Sequence, residues 1–165
     1  MKKDRRHDSL IPLSREHHYG LMVCLRIHKG IEQHKTNADW LSERARKASL
    51  FFESDLKSHF KTEEEIVFPA MSAITEAKPT IEELIEEHRG LERLVHELQQ
   101  AQGSHLARLL LEFADLLESH IRKEERVLFP CYERNISPED AERVKTLVFH
   151  STGTALKPRH PELLK

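Results

Sequence analysis

Four segments of the chain carry apolar residues at intervals of three, four or seven positions, the spacing of one face of an α-helix. Their approximate limits are residues 14–31, 38–68, 80–102 and from 104 onward. Ser14 is the expected N-cap of the first segment, and Thr80 with Glu83 forms an expected capping box in the third. No segment shows the alternation of apolar and polar residues that is typical of a β-strand. We therefore predict an all-α, up-down-up-down four-helix bundle.

A shorter fifth helix is expected after Ser137 and Pro138, because serine at the N-cap and proline at the first helical position form a start signal. The remaining tail is expected to be irregular. The length of 165 residues suits one domain with a substantial core. We therefore predict a single domain over residues 1–165, with the core bundle at about 12–134 and the short C-terminal helix and irregular tail at 137–165.

The charge balance excludes some classes of partner. Lysine and arginine number 26 against 28 aspartates and glutamates, for a formal net charge of -2, so no broad footprint for nucleic acid is present. The charged N-terminus lacks the apolar stretch of a secretion signal, and no segment approaches the roughly 20 apolar residues of a membrane span. We expect a cytoplasmic protein without nucleic-acid or membrane partners.

Histidine is over-represented, with 12 residues, and some of these interrupt the apolar stripes. In each bundle helix a histidine takes a core position, and in the second and fourth helices a glutamate follows one turn later. These positions are His17, His59, Glu63, His88, His120 and Glu124. Burying such groups costs several kcal/mol unless they are neutralised, hydrogen-bonded or coordinated. Other glutamates, such as Glu64 and Glu87, stand in acidic runs that we expect mainly at the solvated surface.

An internal repeat relates the two halves of the domain. The pattern His-x-x-x-Glu-Glu-x-Ile-Val-Phe-Pro starts at His59, and His-x-x-x-Glu-Glu-x-Val-Leu-Phe-Pro starts at His120, 61 residues later. The dipeptide Glu-His that contains His17 recurs at His88. Two similar helical hairpins related by a pseudo-two-fold axis would bring these four elements together.

This order of residues, with Phe-Pro closing both halves, resembles the hemerythrin-like (HHE cation-binding) family over about Pro12 to Tyr132. The resemblance implies a non-haem di-iron centre inside the bundle, with Glu63 and Glu124 as bridging carboxylates. The nitrogen ligands that it implies are His17, His59, His88 and His120. A solvent-derived bridge would give each ion about five ligands and leave a position for a small molecule such as dioxygen or nitric oxide.

The sequence also departs from the oxygen-carrying hemerythrins. These have a second histidine one turn after the third-helix ligand, where this chain has Glu92. They have an aspartate one residue beyond the position of Glu124. Simple reversible oxygen transport is therefore not implied. Two alternatives stay open, namely Glu92 as a seventh ligand in competition with Leu91 for the inward position, and His18 in place of His17.

Imidazole and carboxylate ligands suit iron, zinc and manganese. A paired centre with carboxylate bridges favours two iron ions with an oxo or hydroxo bridge, and zinc and manganese stay open as alternatives. We expect a protein that binds or senses dioxygen, nitric oxide or reactive oxygen species, as a monomer or homodimer. The alternatives are a di-iron redox enzyme acting on nitric oxide or peroxide, an iron-handling protein, or a bundle with a purely hydrogen-bonded interior.

Overall fold

The computed structural model describes residues 5–152 and 160–165 of the chain. All regular structure within these residues is helical, and no strand occurs among them. This confirms the all-α prediction. No helix in that part of the chain is both long and apolar enough to cross a membrane.

Helix α1 spans Ile11–His34 and follows a 3-10 turn at Asp8–Leu10. Pro12 lies in its first turn, where the missing N–H is tolerated because the first N–H groups of a helix have no helical partner. The predicted N-cap at Ser14 is therefore wrong, because the helix already begins at Ile11. The Ser14 hydroxyl instead donates a hydrogen bond to Glu125 Oε1, 2.6 Å away.

Helix α2 is continuous over residues 38–70, with α-helical and wider π-helical turns in alternation. The side-chain oxygen of Asn37 caps it by accepting a hydrogen bond from the Trp40 N–H at 2.9 Å. The α-helical parts are Ala38–Phe51, Lys57–Thr62 and Phe68–Ala70. The π-helical parts are Phe52–Leu56 and Glu63–Val67.

Helix α3 spans Lys78–Leu98 after a 3-10 turn at Thr75–Ala77. Pro79 lies in its first turn, a position that favours proline. Thr80 is therefore already inside the helix, and the predicted capping box of Thr80 with Glu83 is wrong.

Helix α4 covers residues 103–135 and repeats the construction of α2. Its α-helical parts are Gly103–Lys123 and Phe129–Asn135, and the π-helical part between them is Glu124–Leu128. Gly103 has a φ of 58°, a left-handed conformation that glycine adopts without a steric penalty. This residue allows the chain to turn sharply from α3 into α4.

Helix α5 spans Pro138–Thr152, which confirms the additional short helix. Ser137 caps it as predicted, because its Oγ accepts a hydrogen bond from the Asp140 N–H at 3.1 Å. The tail was expected to be irregular. Its residues 153–159 lie outside the described residues, while Pro161–Leu164 form a 3-10 turn that packs against α1 and α2.

The four bundle helices alternate in direction. As α1 runs from His17 to His28, its contacts on α4 run back from Glu125 to Asp115, so these two helices are antiparallel, as in the predicted up-down-up-down topology. One apolar cluster, which includes the fully buried Phe113 and Leu110, fills one end of the bundle. A second, which includes Leu13, Phe129 and Val144 of α5, fills the other end. A buried polar layer lies between the two clusters.

Candidate metal centre

The polar layer consists of the six side chains singled out from the sequence. Each is at most 3% exposed. They form two groups whose nitrogen and oxygen atoms lie within 4.8 Å of one another, and the two groups share both glutamates. The first group is His17, His59, Glu63 and Glu124, and the second is Glu63, His88, His120 and Glu124. The structure therefore brings all six predicted residues into one place.

In the first group the Nε2 atoms of two histidines point at each other and at the glutamates. The Nε2 atoms of His17 and His59 are 3.0 Å apart. His17 Nε2 lies 3.0 Å from Glu124 Oε2, and His59 Nε2 lies 3.0 Å from Glu63 Oε1. Two imidazole nitrogens and two carboxylates thus converge on a single point.

The second group has the same arrangement. The Nε2 atoms of His88 and His120 are 3.2 Å apart. His88 Nε2 lies 3.3 Å from Glu63 Oε2, and His120 Nε2 lies 3.4 Å from Glu124 Oε2. Since Glu63 turns one oxygen to each group, its carboxylate has the geometry of a bridge between two neighbouring ions.

The carboxylates of Glu63 and Glu124 are unusual because they are fully buried and none of their four oxygens has a hydrogen-bond partner. The imidazole nitrogens approach them closely but not in hydrogen-bond geometry. An uncompensated buried carboxylate is costly, and metal coordination is one of the few ways to compensate it. The unpaired oxygens and the converging imidazoles therefore fit a metal pair.

Each of the four histidines also contacts a second carboxylate through its outer nitrogen. The Nδ1–carboxylate pairs are His17–Glu125 at 2.7 Å, His59–Glu16 at 2.7 Å, His88–Glu64 at 2.8 Å and His120–Glu87 at 2.9 Å. A carboxylate accepts, so each Nδ1 donates its proton, and a ring in its neutral form then turns the lone pair of Nε2 inward. That tautomer is the one that binds a metal through Nε2.

These four outer carboxylates were not predicted as part of the site, and two of them, Glu64 and Glu87, were expected mainly at the surface. The internal repeat of the sequence nonetheless contains these four glutamates at matching positions. Glu16 and Glu87 precede His17 and His88 in the repeated Glu-His dipeptide. Glu64 comes directly after Glu63, and Glu125 directly after Glu124. The repeat thus contains the outer partners together with the inner residues.

The π-helical turns explain how neighbouring glutamates serve the same site. Two of them begin at Glu63 and at Glu124. A regular α-helix turns adjacent side chains about 100° apart, whereas a π-turn inserts one residue and rotates the residues after it. Glu63 thus faces the Nε2 atom of His88 while Glu64 reaches the Nδ1 atom of the same ring.

Charge interactions shift the pKa values of these groups in the metal-free protein. Burial opposes the charged form of His59, but the charge of Glu63 and the hydrogen bond with Glu16 outweigh it and raise its pKa to about 10. Burial likewise opposes ionisation of Glu125, yet its contacts with His17 lower its pKa to about 2. In the metal-free protein these shifts favour the protonated form of His59 and the ionised form of Glu125.

An apolar cavity of about 10 Å³ adjoins the first group. It is bordered by His17 and His59, and its apolar lining includes Tyr19, Phe51, Leu56, Phe60, Leu117 and Ile121. His120 of the second group borders the same cavity. His88 borders a separate cavity of about 150 Å³, and Phe60 stacks on its ring with a centroid distance of 3.8 Å.

The structure shows which residue faces inward in each of the two cases that the sequence left open. His18 is exposed while His17 is buried, so His17 is the residue that faces the centre. Glu92 is exposed and Leu91 is fully buried in the inward position. Neither His18 nor Glu92 belongs to a potential metal-binding group among the described residues.

Comparisons with known proteins agree with this geometry. A curated relative named "DNA nickase", from Nostoc sp. (strain PCC 7120 / SAG 25.82 / UTEX 2576), is 29% identical over 94 residues, which are 56% of this chain and 26% of the relative. The chain thus spans about a quarter of the length of that relative. No solved structure matches the chain. The family model of the hemerythrin HHE cation binding domain matches residues 12–132, so the chain belongs to this family of cation-binding domains.

Proposed function

We propose that this protein is a non-haem di-iron protein that binds or senses a small molecule such as dioxygen or nitric oxide. The observation that carries the proposal is the pair of buried groups that share Glu63 and Glu124. One ion would be held by His17 and His59, and the other by His88 and His120. The two glutamates would bridge them, which compensates their otherwise unpaired oxygens.

The donor set supports iron among the common metals. Imidazole nitrogen and carboxylate oxygen suit iron, zinc and manganese, whereas magnesium and calcium prefer oxygen alone. Neither group contains a thiolate, which structural zinc sites commonly use. Helical bundles that bind two ions through glutamate and histidine are typically di-iron or di-manganese proteins. When bound, such a pair would supply one-electron redox chemistry and an open coordination position.

The cavity beside His17 and His59 supports a small ligand. Its volume of about 10 Å³ is close to that of one water-sized molecule. Aromatic and aliphatic side chains make up most of its lining, with the carboxylates of Glu16 and Asp55 also at its border. The chain's own contribution is thus selection by size and polarity, and it favours diatomic molecules over larger ones.

DNA nicking, the activity in the relative's name, is not part of this proposal. The similarity covers 26% of that relative, and this chain has a formal net charge of -2. A protein that binds nucleic acid usually has an excess of lysine and arginine side chains that contact the phosphates.

Metal analysis tests the proposal directly. Elemental analysis of the purified protein should find about two irons per chain, and a double Glu63→Ala, Glu124→Ala variant should lose them. Glu65→Ala is the matched control, because Glu65 is an exposed neighbour in the same acidic run. The iron-loaded protein should show an optical band that changes reversibly with dioxygen or nitric oxide. A wild-type protein that takes up no iron under reducing, iron-replete conditions would contradict the proposal.

A further inference from the structure

The outer carboxylates do more than contact the histidines, because three of them are also held by a cation. Glu125 pairs with Arg6, Glu64 with Arg89, and Glu87 with Lys123. The resulting chains, each from an inner imidazole to a surface cation, are His17–Glu125–Arg6, His88–Glu64–Arg89 and His120–Glu87–Lys123. The fourth histidine, His59, is likewise paired with a carboxylate, that of Glu16.

Each of the three carboxylates divides its two oxygens between the interior and the surface. Glu64 turns Oε1 to His88 Nδ1 at 2.8 Å and Oε2 to Arg89 Nη2 at 2.6 Å. Glu125 turns Oε1 to His17 Nδ1 at 2.7 Å and Oε2 to Arg6 Nη2 at 2.6 Å.

Glu87 repeats this division with Oε2 at 2.9 Å from His120 Nδ1 and Oε1 bonded to Lys123 Nζ. The same arrangement thus occurs in both halves of the bundle. A merely solvating role for these glutamates would not require one oxygen inward and one outward in every case.

Such a chain changes the electronic character of the imidazole. A carboxylate that accepts the Nδ1 proton draws it partly away and makes Nε2 a stronger electron donor. A stronger donor, together with the added negative charge, stabilises the ferric over the ferrous state. A cation on the outer oxygen has the opposite effect, because it weakens the carboxylate as an acceptor and adds positive charge nearby.

We propose that Glu16, Glu64, Glu87 and Glu125 are positioning residues that hold the four imidazoles with Nε2 inward, and that with their cations they set the reduction potential of the metal pair. This inference rests on the proposed di-iron function. The glutamates bias the centre toward the ferric state, and Arg6, Arg89 and Lys123 limit that bias. Because the carboxylate and the cation of each chain are partly exposed, a docked partner or a change in salt would act on the centre from the surface.

The first part of the test removes the charge of an outer carboxylate. Glu64→Gln and Glu87→Gln keep a carbonyl acceptor for Nδ1 but lose the negative charge. Each should raise the midpoint potential, measured by spectroelectrochemical titration of the iron-loaded protein. The expected shift is an about tenfold change in the ferric-to-ferrous ratio, or about 59 mV for a one-electron couple. Glu65→Gln and Glu86→Gln are matched controls at exposed neighbouring positions and should leave the potential unchanged.

The second part removes the cation and leaves the carboxylate in place. Arg89→Gln and Lys123→Gln should lower the midpoint potential, the opposite direction to the glutamate variants. Arg122→Gln is the control, since Arg122 pairs with Glu118, which is not one of the four outer carboxylates. A role in packing alone would give no reason for opposite signs.

Metal content is measured on every variant, so that two kinds of failure stay distinct. A wild-type protein that holds no iron would overturn the proposed function and this inference with it. If iron is retained but the potentials of the glutamate and cation variants match their controls, or shift in the same direction, the inference alone is overturned. Should a glutamate variant fail to load iron, the cation variants decide, and a potential that does not fall overturns the inference.

Discussion

The Nε2 atoms of His17 and His59 lie 3.0 Å apart in the interior of the bundle. Both rings have their Nδ1 atoms against carboxylates, those of Glu125 and Glu16. If both rings are neutral, two lone pairs face each other at hydrogen-bond distance, which is repulsive. Either an additional proton or a metal ion must lie between them. The pair therefore requires a cation, either a proton or a metal ion, between the two rings.

The first prediction distinguishes His17 from its neighbour. His17→Ala should lower the iron content of the protein, because it removes one of the two imidazole nitrogens of the first group. His18→Ala should leave iron content unchanged, because His18 is exposed. Elemental analysis of both variants, produced and purified in parallel, measures the difference in iron content. Equal loss of iron in the two variants would contradict the assignment.

The second prediction concerns metal removal. Ions that bind the folded protein and not the unfolded chain stabilise it by about 4 kcal/mol at a free concentration of a thousand times Kd. For a chain of this size we expect chelation to lower Tm by roughly 8 to 16 °C. Thermal unfolding followed by circular dichroism, with and without chelator, measures the shift. The double Glu63→Ala, Glu124→Ala variant should show no such dependence on chelator.

The third prediction is a pH dependence of the metal-free protein. The pKa of His59 is about 10 in the folded chain, against 6.5 as its ordinary value. Because the folded pKa is the higher one, the contribution of protonated His59 to the free energy of unfolding is complete below pH 6.5 and is lost as the pH rises through about 10.

Denaturant titrations of the metal-free protein should therefore give a falling free energy of unfolding between about pH 6.5 and pH 10. Metal binding requires neutral imidazoles, so the iron-loaded protein should lack this decline. A His59→Gln variant should weaken this decline without abolishing it, because His17 and His88 also have pKa values raised above 6.5. A profile of the wild type that rises over the same interval would contradict the prediction.

Most of the candidate site could be predicted because its pattern is local. His59 and Glu63 are one helical turn apart, and so are His120 and Glu124, and apolar neighbours fix which face is inward. The outer carboxylates were harder to predict, because their pairing depends on contacts between different helices. Glu64 stands in an acidic run that looks like solvated surface, and its contact with His88 depends on bundle geometry and a π-turn.

The N-termini of the helices show the same limit of prediction from sequence. Ser14 and Thr80 have the side chains of N-caps, but Pro12 and Pro79 lie upstream in first-turn positions and the helices begin around them. Two local signals competed at each start, and propensity alone did not rank them. The Ser137 cap had no such upstream competitor, and it was predicted correctly.

The last prediction concerns the 3-10 turn Pro161–Leu164, in a part of the tail that was expected to be irregular. Leu163 is 2% exposed and belongs to the apolar cluster of the bundle, and Arg26 Nε donates a hydrogen bond to the Leu164 carbonyl at 3.0 Å. Leu163→Ala should therefore lower the free energy of unfolding by about 2 to 5 kcal/mol, as for other buried leucines. Leu147→Ala is the control, because Leu147 is 46% exposed and should change stability by no more than about 0.5 kcal/mol. Equal stabilities of the two variants in urea titrations would mean that the turn does not pack on α1 and α2 in solution.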